Sequence, residues 1–158
     1  MPRLQKDLHY VGIDSGQSGG LVWLDPNGKV NGCNKMPATE RDIWERFFTL
    51  PTSTVAVIEK VHAMPKQGVS STFKFGRGYG GLRMALIAAG ISFEEVTPRT
   101  WQKGLGIPPK KKTETGTQWK NRLKAMAQQL FPQEKVTLAT ADALLIATYC
   151  RRKHTGTL

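Results

Sequence analysis

Three acids stand where a folded chain seldom leaves charge. Asp14 closes the apolar run "LHYVGID" (8–14), Glu59 closes "TVAVIE" (54–59), and Asp142 lies in "ATADALLIA" (139–147), where nearly every neighbour is apolar. Burying a lone carboxylate costs on the order of several kcal/mol unless it is paired or metal-bound. Singly, each has an ordinary explanation. Asp14 can form an Asx turn over Ser15 and Gly16, Glu59 can pair with Lys60, and Asp142 can use the free N–H groups of a helix N-terminus. Together they point elsewhere, because the first and fourth strands of such a chain can lie side by side and aim both terminal acids at one spot. A helix packed alongside supplies the third. Clustered carboxylates repel, so a positive charge must hold them. Oxygen donors without His or Cys favour Mg2+, with Mn2+ able to substitute. Two such ions about 3.5–4 Å apart clamp the attacking water and leaving oxygen of a phosphodiester. Asp14, Glu59 and Asp142 are therefore the expected catalytic and metal-binding residues, their oxygens converging on shared cations.

The elements that must position them are legible in outline. Residues 8–14, 20–25 and 29–37 read as strands, the last interrupted by Gly32, with "PNG" (26–28) as a turn. Residues 38–50 read as an amphipathic helix with Thr39 as N-cap and Ile43, Trp44, Phe47 and Phe48 on its apolar side. The continuous apolar run 54–59 predicts a buried central strand, followed by a loop over 60–69. Helix 70–89, strand 91–97 and a short helix 98–105 with Pro98 in its first turn come next. A basic, mobile loop (106–116), a helix 117–131 stopped by Pro132 and a helix 137–153 complete the chain. The order β-β-β-α-β-α-β-α-α-α predicts one α/β domain, a mixed five-stranded sheet with three antiparallel and then parallel strands, flanked by helices.

The charge favours a polyanionic partner. The 158 residues carry 23 Lys plus Arg against 12 acids, a net +11, and a field of that size attracts nucleic acid. Lys66, Arg77, Arg99, Lys103, Lys110, Lys111 and Lys112 form the expected phosphate-contacting set; Phe73 and Phe75 flank Lys74 and read first as core or dimer packing, with contact to unstacked bases the alternative. Lys103 and Lys112 are candidates to assist the leaving oxygen. Trp101 reads as core and Trp119 as helix packing. No apolar run reaches the roughly 20 residues that a bilayer needs, and no signal peptide precedes "MPRLQKDLHY". Cys33 and Cys150 form no zinc pattern and read as buried free thiols of a reducing, cytoplasmic setting. "GRGYGG" (76–81) fits G-x-G-x-x-G but lies inside a helical pattern, so it predicts close approach across a dimer or against DNA and no dinucleotide site. No G-x-x-x-x-G-K-[ST] motif occurs, and no nucleotide cofactor is expected.

The strand-Asp, strand-Glu and helix-Asp order resembles the ribonuclease H-like nuclease superfamily, and more finely the RuvC family of Holliday-junction resolvases. "VGIDSG", "VIEKVHAMPK", "FEEVTPRTWQKGLGI" and "ADALLIATY" are similar to that family's successive motifs, over roughly residues 8–153. The resemblance implies a ribonuclease H-like fold and a Mg2+-dependent endodeoxyribonuclease with two ions per site. It implies a homodimer on four-way or other branched DNA, nicking symmetrically to leave 5′-phosphates. It also implies that His62, three residues after Glu59, stacks on a base of the opened junction centre. The family's fourth ligand lies three or four residues before the helical Asp, where this chain has Ala139 and Leu138. Two alternatives follow: another ribonuclease H-like nuclease acting on RNA–DNA hybrids or flaps, or a junction-binding protein with little cleavage activity.

Overall fold

The computed structural model describes residues 7–62 and 65–158. Ala63 and Met64 of the expected 60–69 loop lie outside the described residues, as do residues 1–6. Five strands form one sheet: β1 (His9–Ile13), β2 (Gly20–Leu24), β3 (Val30–Lys35), β4 (Thr54–Glu59) and β5 (Ser92–Val96), in the spatial order β3-β2-β1-β4-β5. The first three strands are antiparallel neighbours, whereas β4 runs parallel to both β1 and β5. The expected mixed sheet is thus the observed one. Gly32 does not interrupt β3; it lies flat against the Trp23 ring, beside a register shift between Trp23 and Leu24.

Side chains alternate across a strand, and two cores follow from that alternation. Val11, Ile13, Ala56 and Ile58 face α1 (Glu40–Phe48) and α2 (Val69–Ala88). Tyr10, Val57 and Val96 face the other way, toward α3 (Pro98–Gly104), α4 (Gly116–Leu130) and α5 (Ala141–Thr155). Thr39 caps α1 by accepting from the Asp42 N–H at 3.1 Å. No helix among the described residues is long and apolar enough to cross a membrane.

Three local expectations are corrected. The C-terminal helix begins at Ala141 and not at 137, because Thr137 and Thr140 bond to each other and form a turn ahead of it. Only Ile43 and Phe47 of the α1 face are buried; Trp44 and Phe48 stack on each other outside, ring centroids 4.8 Å apart. Cys150 is buried, but Cys33 is half-buried on the edge strand, and both are free thiols. The 106–116 loop is tied to the body of the protein through four hydrogen bonds from Arg122.

Candidate active site

Register and parity bring the first two acids together. β1 and β4 pair in parallel from His9↔Thr54 to Ile13↔Ile58, and the same offset sets Asp14 beside Glu59. Both share the side of Tyr10 and Val57, the side α5 covers. The glycines after Asp14 explain themselves here. The Asp14 N–H donates to the Gly20 carbonyl at 3.1 Å, and the loop folds back so tightly that a Cβ on Gly19 would meet the Asp14 carbonyl and lie 2.8 Å from its carboxyl carbon. Ser15 Oγ donates to the Glu59 carbonyl at 2.9 Å and ties the two strand ends. Gly12, two residues before Asp14 on the same face, touches the α5 backbone at Ala143 and Ala147. That seat puts Asp142, in the first turn of α5, into one cleft with Asp14.

The site is electrostatically strained. Burial raises Asp14 to about 7, helped by the Asp142 charge and opposed by a Gly16 backbone N–H and by Lys120. Burial raises Glu59 to about 8, with the Asp14 charge next and the Trp101 hydrogen bond opposing. Asp142 is raised by burial and eased by Lys120. Glu59 is 7% exposed, and its Oε2 accepts from the indole N–H of the fully buried Trp101 at 2.7 Å. Among the described residues, no three His, Cys, Asp or Glu side chains come close enough to cage one ion. Asp14 and Asp142 share the cleft, while Glu59 is turned to Trp101. The donor set nonetheless fits Mg2+. All three donors are hard carboxylates, and this ion is commonly held by one or two of them plus water and substrate phosphate. Asp14 and Asp142 would hold it.

A pH dependence follows. Carboxyls near 4 in the unfolded chain but near 7 and 8 in the folded one keep protons longer when folded. The metal-free protein therefore loses stability as pH rises from about 4 through 8 and levels off above. Melting in EDTA is expected to fall by about 5 °C or more between pH 5.5 and 8.5, and Mg2+ is expected to restore most of it at the upper end only. A flat EDTA profile would contradict the raised carboxyls.

Sequence reasoning missed Lys120 and Trp101's role. Lys120 lines the Asp14–Asp142 cleft, whereas Lys103 and Lys112, the expected lysines, do not. Its spacing to buried Leu123 and Ala127 (i+3, i+7) was the available signal, a lysine on a packed helical stripe. For Trp101, the signal was that a core indole needs an acceptor. His62 borders a second cleft with Asp14, Phe75 and Pro98. Lys74 and Arg77 border a third hollow with Ser15 and Gly16, where Arg77 pairs with Glu40 at 3.3 Å. Phe73 is exposed on α2. Lys66, Arg99, Lys103, Lys110, Lys111 and Lys112 are exposed and line none of these three clefts. Leu138, at one of the two positions expected to lack a ligand, lines the Asp14–Asp142 cleft.

The sheet order, its antiparallel-then-parallel pairing and the flanking helices define a ribonuclease H-like α/β fold. Among solved structures, the chain is similar to RuvC of Thermus thermophilus (17% identity over 94% of this chain and 97% of that one, TM-score 0.57). It is likewise similar to the T. thermophilus RuvC in complex with a Holliday junction substrate (18% identity, 95% and 97%, TM-score 0.59). No protein-family model matches the sequence, and no curated protein does.

Proposed function

We propose that the protein is a divalent-metal-dependent endonuclease that resolves four-way DNA junctions by paired, symmetric phosphodiester hydrolysis, leaving 5′-phosphates. The observation that carries this reading is the Asp14–Asp142 cleft with Glu59 behind it, on a ribonuclease H-like sheet in a strongly basic chain. Bound Mg2+ would supply charge for the scissile phosphate and lower the pKa of water. The chain's own groups do the rest. Asp14 and Asp142 would set the ion position, Trp101 fixes Glu59, and the Lys120 side chain lines the same cleft. His62 and Phe75, at the adjoining cleft, offer rings to an unstacked base.

A homodimer belongs to this reading, since a two-fold enzyme matches a two-fold junction. Its support is a continuous open stripe on α2. Val69, Phe73, Gly76, Gly80, Met84 and Ile87 recur at helical spacing and are all exposed.

The test is a substrate panel with purified protein: a labelled mobile four-way junction, a flap, and an RNA–DNA hybrid, each with Mg2+ and with EDTA. Paired nicks in the junction alone, lost in EDTA, are expected. Preferential cutting of hybrid or flap would move the chain to another ribonuclease H-like activity. One observation favours a binder with little chemistry, namely the apolar Leu138 at the cleft, in place of a fourth ligand. A shifted but uncut junction would establish it.

A further inference from the structure

The lysine run lies in a hydrogen-bonded turn, and Arg122 is the residue that ties it together. Its Nε and Nη2 donate to the two carboxylate oxygens of Glu114, at 2.9 and 3.0 Å. The same guanidinium donates to the carbonyls of Pro108 (2.9 Å) and Pro109 (3.2 Å) and lies 4.4 Å over the Trp119 ring. Glu114 in turn accepts the Lys111 N–H at 3.1 Å, and its own N–H donates to the Lys111 carbonyl at 3.1 Å. The run is therefore closed on both sides. Two consecutive prolines stiffen its entrance behind the buried Ile107, and the Thr115–Gln118 capping box fixes its exit into α4.

Within this turn, Lys110, Lys111 and Lys112 are exposed, and no ion pair among the described residues engages them. The clamp is half-shielded, with the Arg122 and Glu114 side chains 27% and 12% exposed. It spends one acid and one base on holding a shape and leaves three cations outward. A solvated charge run needs no such frame. Fixed spacing is what a repeating polyanion rewards, because the ordering cost of the binding loop is met before contact. The turn also leads directly into α4, whose Lys120 lines the Asp14–Asp142 cleft.

We propose that Arg122 is a positioning residue for nucleic-acid binding: through Glu114 and the two proline carbonyls it holds Lys110–Lys112 in the arrangement that grips a phosphodiester backbone. This rests on the DNA-cleaving reading above, whose cleavage and binding arms separate the two.

The experiment is a salt titration of affinity for a labelled four-way junction and for a plain duplex, in EDTA so that no strand is cut. Arg122→Lys keeps the charge but loses the planar fork. It is expected to weaken binding about three- to tenfold with the slope of log K against log salt unchanged. The triple variant Lys110→Ala, Lys111→Ala, Lys112→Ala is expected to flatten that slope by about 2 to 3. Adding Arg122→Lys to the triple should then cost nothing more. Glu114→Ala gives the sharpest sign. Charge alone predicts tighter binding once an acid beside three lysines is gone, whereas loss of the clamp predicts weaker binding. Wild-type affinity for Arg122→Lys, tighter binding by Glu114→Ala, or full additivity with the triple would each overturn the proposal. Should the wild type bind neither DNA, the DNA reading falls and takes the clamp's role with it. Should it bind and cut while Arg122→Lys behaves as wild type, only the clamp's role falls.

Discussion

Asp14→Asn is expected to lower junction cleavage by about 10³-fold or more and, in the same protein, to raise the melting temperature at pH 8 in EDTA. The two effects have one cause. Asp14 is pushed to about 7 by burial and by the Asp142 charge, so at pH 8 its carboxylate is held against its preference. Asn keeps the shape and can still accept from the Gly16 N–H, but it carries no charge and is a poor partner for a hard dication. The raised carboxyl of Glu59 relaxes too, because Asp14 is the largest charge acting on it. DNA affinity should stay within about twofold, since removing one acid from a chain of net +11 slightly strengthens the attraction for phosphate. Cleavage at the wild-type rate would remove Asp14 from the site. A melting temperature below wild type would contradict the crowding of like charge. A gain in stability at the expense of activity marks a functional carboxylate, since a structural one loses both together.

What the sequence made legible was direction, and what it hid was partnership. The strands ending at Asp14 and Glu59 are short apolar runs with acids at their ends, and an alternation of period two fixes the face each acid takes once the strands are paired. Trp101 was correctly core, yet its bond to Glu59 spans 42 residues, and no local pattern encodes that. Lys120 looked like one more surface lysine of α4 until α5 was set beside it. The lysine run read as a plain loop from its composition; the bond that ties it, from Arg122 eight residues after Glu114, is not visible there. Trp44 and Phe48 satisfied the amphipathic spacing of α1 but found each other instead of the core, because Ile43 and Phe47 already fill the contact with the sheet. Periodicity names the side of an element that packs, while the partner is decided by elements far away in the chain.

Gly12→Ala tests the link between fold and site most directly, and a loss of about 3 kcal/mol or more is expected in urea denaturation. Gly12 occupies the central strand at the point where α5 crosses it, and an added methyl would run into the backbone of Ala143 and Ala147, with the Ala147 Cα at 2.8 Å. Both obstacles are main chain, so no rotamer change relieves them; α5 must lift or tilt. Asp142 precedes Ala143 by one residue, so the same movement pulls it from Asp14. Metal affinity should therefore fall in whatever fraction of the variant folds. Gly78→Ala is the matching control. It too lies in a regular element at negative φ, but nothing stands within 4 Å of its added Cβ. There the methyl replaces glycine's backbone freedom at no steric cost, and the expected change is a gain of about 0.5–1 kcal/mol. Opposite signs for two identical substitutions isolate contact from backbone entropy. Equal, small effects would mean that α5 is not seated on β1 at Gly12, and Asp142 would then have no structural reason to share a cleft with Asp14.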